Sequence, residues 1–202
     1  MRRILALCLV FSLAGPLTLV AAQAAQAAQN GDFAGQDAPA DDKQVALDAL
    51  LKQLAASDDE DAAEVLEKAV WQLWLQSGSD TIDLLMSRVV AAMEKDDYSL
   101  ALDLLDHIVE LKPGYAEGWN KRATVFFNLR EYNRALHDVE RTLRLEPRHF
   151  GALAGLGLIF QELGQEENAL RAYRRALAVH PFLPSVRKAE RELAEKIEGR
   201  GI

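Results

Sequence analysis

Cysteine is almost missing: the 202 residues hold one, Cys8. That excludes a disulfide scaffold and a thiolate zinc site within one chain. Aromatic residues are few at 7%, and the 12 glycines and 6 prolines are ordinary counts, so collagen-like and proline-rich classes fall away. Positive charge is in deficit, with 23 Lys and Arg against 31 Asp and Glu for a net charge of −8. This balance argues against a general nucleic-acid binder. Also absent are a Gly-x-Ser-x-Gly elbow, a phosphate loop and a dinucleotide fingerprint. What is present is 50% hydrophobic residues with charges of both signs, enough for a packed core in one or two domains.

The chain opens on a short basic start, Met1-Arg2-Arg3, followed by the mostly apolar run Ile4 to Val20 and the small-x-small sequences Ala22-Gln23-Ala24 and Ala25-Gln26-Ala27. This three-part layout predicts a secretory signal peptide over residues 1–24, with cleavage possible after 27 instead. Gly15-Pro16 interrupts the apolar run, which is at the short limit for a retained span. The expected destination is the periplasm of a Gram-negative bacterium, with the membrane met only through the signal peptide. Cleavage would remove Cys8, leaving a chain indifferent to an oxidising compartment. Residues 25–40, rich in Ala, Gln, Gly and Asp, read as a flexible linker.

Charge is unevenly spread beyond that point. Residues 25–115 carry 6 basic and 19 acidic side chains, and residues 116–202 carry 15 basic and 12 acidic. Such asymmetry can orient a partner or favour association between copies, so a homo-oligomer is one open possibility; solvated helix faces are the blander one.

A period of 34 runs through the second half. Pro113, Pro147 and Pro181 keep that interval, as do Ala101, Ala135 and Ala169. Leu105, Val139 and Tyr173 keep it as well. Each unit divides into two helical patterns around a short turn. In the second unit Trp119, Ala123 and Phe126 share one face of a first helix, and Ala135, Val139 and Thr142 share one face of a second. A proline then ends the pair. These residues resemble the tetratricopeptide-repeat family. The resemblance covers about half of the chain, with units at 82–115, 116–149 and 150–183. It implies an all-α fold, a right-handed superhelix of antiparallel helix pairs with a concave side.

The ends must tolerate water. Residues 184–202 read as a capping helix and tail, its apolar positions Val186, Ala189, Leu193 and Ile197 spaced for one face. Residues 41–81 read as a degenerate helix pair, Val45–Ala55 and Ala62–Gln76. It breaks at Ser57 to Asp61, where acidic residues suit a helix N-terminus. Ala63 lies 38 residues before Ala101 rather than 34, so this pair is expected to stack, at best, as an irregular fourth unit. Trp71 and Trp74 are expected in its core, with an exposed aromatic patch as the rival reading. The four histidines, His107, His137, His149 and His180, fall at four different repeat positions. They read as surface or core residues rather than bases or ligands. His137 and Asp138, adjacent in sequence, are expected to point to different sides of their helix.

In the family the concave face is lined by the first helix of each pair. Carried over residue by residue, the resemblance gives Met86, Val90 and Met93 in the first unit. It gives Asn120, Thr124, Phe127 and Asn128 in the second, and Ala154, Leu158 and Gln161 in the third. The dicarboxylate clamp of chaperone cofactors is not matched, because Met86, Val90, Lys121, Gly151 and Gly155 stand at its positions. Capture of an acidic C-terminal tail is therefore not expected. The lining instead offers an apolar floor with polar edges, suited to an extended peptide or an amphipathic helix. Gly151 and Gly155, one turn apart, reflect either a backbone approaching closely or simple tolerance by the stack. The expected function is a non-catalytic protein-interaction module, a periplasmic adaptor or scaffold that needs no cofactor, metal or small-molecule substrate. The alternatives are a self-associating structural protein or an accessory subunit of an envelope enzyme complex.

Overall fold

The computed structural model describes residues 40–199; the expected signal peptide and nearly all of the expected linker lie outside the described residues. Among the described residues there are nine helices and no strand. They are α1 (Ala40–Ala55), α2 (Glu60–Leu75), α3 (Asp80–Met93), α4 (Tyr98–Leu111), α5 (Ala116–Asn128), α6 (Tyr132–Leu145), α7 (Phe150–Glu162), α8 (Glu166–Val179) and α9 (Pro184–Glu198). Each helix from α3 to α8 packs on the next in the chain. α1 starts five residues before the Val45–Ala55 pattern, since its first turn is polar and apolar periodicity cannot mark it.

Three helix pairs, α3/α4, α5/α6 and α7/α8, turn by the same local device. Backbone N–H groups of Asp97, Glu131 and Gln165 donate to the carbonyls of Ala92, Phe126 and Phe160 at 2.8–2.9 Å. The residue before each donor is left-handed: Asp96 at φ 55°, Arg130 at 61° and Gly164 at 71°. This is the Schellman ending, which glycine enters without steric cost. Only the third unit uses glycine.

Small residues set the distance within pairs. Ala101, Ala135 and Ala169 are fully buried at equivalent positions, and Gly157 lies flat against the Tyr173 ring. Polar contacts between units follow the register too. Asp106 pairs with Arg122 at 2.8 Å, and Arg174 pairs with Glu190 at 2.8 Å. The second pair occupies the positions of the first, 68 residues on, with charges reversed.

The α1–α2 hairpin departs from the expected stacking. α2 starts with Asp59 as its N-cap, accepting from the Ala62 N–H at 2.9 Å. It packs against α5 rather than against the outer face of α3, and α1 packs against α8. The hairpin keeps its own apolar cluster, including Leu47, Leu51, Leu54 and Val70, to which the repeats contribute Phe150, Val179, Phe182 and Leu183. The physical reason lies in α2 itself: its last two turns present aromatic side chains to the turns between units.

Candidate functional site

The three turns that end α4, α6 and α8 form one edge of the repeats, and α2 lies along it. The Tyr115 hydroxyl, before α5, donates to the Leu75 carbonyl at 2.8 Å. One unit later the Trp74 ring stacks on His149, with centroids 4.0 Å apart and planes at 7°. Trp71 meets His149 and Phe150 edge-on at 5.5 and 5.4 Å. After α8, His180 Nε2 lies 3.0 Å from Glu67 Oε2. An ion pair between Arg148 and Asp48 adds to these contacts. The acidic and basic parts of the sequence thus meet within one chain.

Beneath Trp74 sits a buried polar cluster. Ala152 N–H donates to His149 Nδ1 at 3.1 Å, so Nε2 carries the hydrogen and donates to Glu117 Oε2 at 3.0 Å. Asn120 Nδ2 donates to the same oxygen at 2.9 Å, and Lys121 Nζ is 3.1 Å from Oε1. Burial alone would push the Glu117 carboxyl upward, but His149 and Lys121 together outweigh it and hold the group below its ordinary value. His149 and His180 both serve as buried structural residues, at 0% and 1% exposure. No sequence signal marked either one, because each draws its partner from a distant segment.

The residues expected to line the groove divide. Val90 and Leu158 are exposed, at 36% and 46%. Thr124, Asn128 and Gln161 are also exposed, and Met93, Phe127 and Ala154 are half-buried. Phe127 leans on Tyr132, with ring centroids 5.6 Å apart, and Gln161 accepts from the Tyr173 hydroxyl. Met86 is buried within the first unit's core, and Asn120 is buried and tied to Glu117. Neither presents a surface: Met86 is enclosed in its apolar cluster, and Asn120 is held in the polar cluster below α2. The close approach at Gly151 comes from this chain's own Trp71, whose Cη2 lies 2.9 Å from where a Cβ would stand. Nothing stands within 4 Å of that position at Gly155.

Two other places bear on chemistry. An open cleft of about 260 Å³ is lined by Arg122, Phe126, Asn133, Arg134, His137 and Asp138. Its cations are engaged: Arg122 with Asp138 and Asp106, Arg134 with Glu131. There His137 Nδ1 comes within 3.1 Å of Asp138 Oδ1, contrary to the expectation that adjacent side chains diverge. The exposed imidazole reaches back over its neighbour, whose carboxylate turns inward to Arg122. Among the described residues no group of three or more His, Cys, Asp or Glu side chains could hold a metal ion. No described helix is long and apolar enough to cross a membrane.

Comparison with known proteins places this architecture. A tetratricopeptide-repeat family model matches residues 150–181. A TPR repeat-containing protein of Rhizobium etli is 40% identical over 153 residues, covering 76% of this chain and 75% of the relative. The small glutamine-rich tetratricopeptide repeat-containing protein 2 of Saccharomyces cerevisiae is 31% identical over 88 residues, 44% of this chain and only 25% of the yeast protein. Among solved structures, the first TPR domain of Spaghetti, bound to an HSP90 peptide, superposes with a TM-score of 0.56 at 19% identity. It covers 58% of this chain and 93% of that one. MamA superposes with a TM-score of 0.55 at 20% identity, over 78% and 80%. At these identities the structures speak for the fold alone. The phased helix pairs, their shared turn and the extended likeness to the Rhizobium protein together establish that this chain belongs to the tetratricopeptide-repeat family.

Proposed function

We propose that this protein is a non-catalytic interaction module that takes a peptide or short helix of another protein along the part of its concave face that α2 leaves open. The observation that carries this reading is the set Val90, Met93, Thr124, Phe127, Leu158 and Gln161. These residues stand at two equivalent positions of successive first helices, are exposed or half-buried, and combine an apolar floor with polar edges. Such a surface binds through side-chain pockets and backbone pairing rather than charge. Similar folds support it: the Spaghetti domain holds an HSP90 peptide, and the TPR2B domain of yeast Sti1 forms a complex with an Hsp70 peptide. An acidic C-terminal tail is not the expected ligand here, since Met86, Val90, Lys121, Gly151 and Gly155 stand where a dicarboxylate clamp would be.

The same reading places the protein in the periplasm as an adaptor or assembly scaffold, on the strength of the basic, apolar and Ala-Gln-Ala sequence at its start. Affinity capture from periplasmic extract with the processed protein tests the adaptor role: a partner segment that protects Phe127 and Leu158 supports it. N-terminal sequencing of protein from fractionated cells tests export. A start after Ala24 or Ala27 is expected, and recovery from the cytoplasm with Met1 intact would overturn it.

A further inference from the structure

In a repeat stack each first helix turns one stripe toward the preceding unit, and α5 shows which residues form it. A Cβ at Gly118 would stand 2.9 Å from Ile108 Cγ2 of α4. Val125 is buried in the first unit's cluster, and Arg122 reaches the Asp106 carboxylate. One unit later, Ala152, Leu156 and Ile159 are buried in a cluster with Ala123, Phe126 and Val139 of the second unit. One unit earlier the same positions hold Leu84, Arg88 and Ala91. All three are exposed, Leu84 at 63%. No repeat precedes α3 among the described residues, and the α1–α2 hairpin lies along the other edge.

We propose that this stripe of α3 is a dimerisation face, and that its occupant is the same stripe of a second copy. The pairing uses a different face from the open groove, so it goes beyond the function proposed for that groove.

Three observations select a second copy in this orientation. The opposite end of the stack offers no matching surface. There α9 covers α8, burying Val186 and Leu193, and leaves Arg187, Lys188, Arg191, Glu192 and Lys196 exposed. Head-to-tail association would set an apolar stripe against that charged one. Like faces meeting about a two-fold axis avoid the mismatch and close the assembly at two copies.

The stripe is also self-complementary. Asp80, Leu84 and Arg88 follow at intervals of four, an acid, a leucine and a base along one ridge. Two such helices crossing antiparallel at Leu84 place Asp80 of each copy beside Arg88 of the other, with the leucines in contact on the axis. Ser87 and Ala91, both small, border the ridge and let the backbones approach.

Finally, Arg88 lacks in its own chain what Arg122 has. Arg122 bridges Asp138 in its own unit and Asp106 in the preceding one. At the position of Asp138 the first unit has Leu104, and no described repeat stands where a counterpart of Asp106 would be. A carboxylate from a second copy fills that place.

Sedimentation equilibrium of the protein as recovered from cells, over a wide range of concentration, tests the proposal. A reversible monomer–dimer equilibrium is expected, and Leu84→Glu should raise its dissociation constant at least tenfold with helicity kept. Asp80→Arg alone and Arg88→Asp alone should each weaken the dimer at least threefold, because each sets like charges together. Combining the two, which exchanges acid and base, should restore the affinity. Leu111→Glu changes an equally exposed leucine on α4 and should leave the equilibrium unaltered. A monomer at every concentration, a larger assembly, or a dimer indifferent to Leu84→Glu overturns the proposal. If circular dichroism shows Leu84→Glu unfolded, the charge exchange decides. Single changes without effect, or a double change that fails to recover the dimer, then overturn it.

Discussion

Tyr173 lays its ring directly over the bare Cα of Gly157, so that any β-carbon there would overlap the ring. The contact sets how closely α7 approaches α8, and both residues are buried. A Gly157→Leu change should therefore overpack the third unit and cost about 1–3 kcal/mol. Urea unfolding measures it, and an unchanged midpoint would mean that the helix register is wrong. The gain of helix propensity over glycine, about 1 kcal/mol, works against the loss, which makes a net destabilisation the more telling.

Arg130 sits at φ 61° at the turn position where the third unit has Gly164. A left-handed conformation costs a side-chain-bearing residue roughly 1–2 kcal/mol, while glycine loses about 0.5–1 kcal/mol of backbone entropy on folding. Arg130→Gly is expected to raise stability by up to about 1 kcal/mol, seen as a higher thermal midpoint. Asp96→Gly should gain less, because Asp tolerates this region better.

Arg122 holds the buried Asp138 carboxylate through two nitrogens, at 2.7 and 3.0 Å. Asp138 is 1% exposed, so Arg122→Ala strands a buried charge and should cost about 3–5 kcal/mol. Arg174→Ala breaks the more exposed pair with Glu190 and should cost less than about 1 kcal/mol. Denaturant midpoints of the two variants, compared side by side, check the ranking.

Glu117 supplies a pH dependence whose sign is definite. Its carboxyl is held lower in the folded chain than in the unfolded one. Its contribution is fully present above the unfolded value of about 4.3 and is lost as pH falls through the lower folded value. Urea midpoints followed from pH 7 to pH 3 should therefore drop more steeply for the unaltered chain than for Glu117→Gln, which starts less stable at pH 7. Parallel curves would remove Glu117 from the account.

For the open groove, Phe127→Ala with Leu158→Ala should weaken binding of a captured partner segment by at least about 1 kcal/mol with the fold kept. Arg187→Ala with Lys188→Ala, on α9, should stay within about 0.5 kcal/mol. Titration calorimetry gives both numbers, and the opposite ranking would move the site to the basic C-terminal surface. Asn120→Ala is expected to act on stability instead, since Asn120 is bound to Glu117 inside the cluster.

The helix pairs, the turns between them and the α9 cap were legible in the sequence. Each rests on contacts that repeat: a small residue at 101, 135 and 169, a turn at 96, 130 and 164, a proline at 113, 147 and 181. A local rule stated three times in phase leaves a periodic trace. The place of α2 left none. It depends on Glu67 meeting His180 across 113 residues, on Asp48 meeting Arg148 across 100, and on Trp74 stacking over His149. Those contacts each occur once, between segments with no common period. For the same reason the sequence could nominate Asn120 for the groove but could not show it captured by Glu117, nor foresee that Gly151 makes room for Trp71. Periodicity determined which residues share a helix face. Only tertiary packing decided which of those faces remained open, because occlusion depends on what a distant segment brings to the surface.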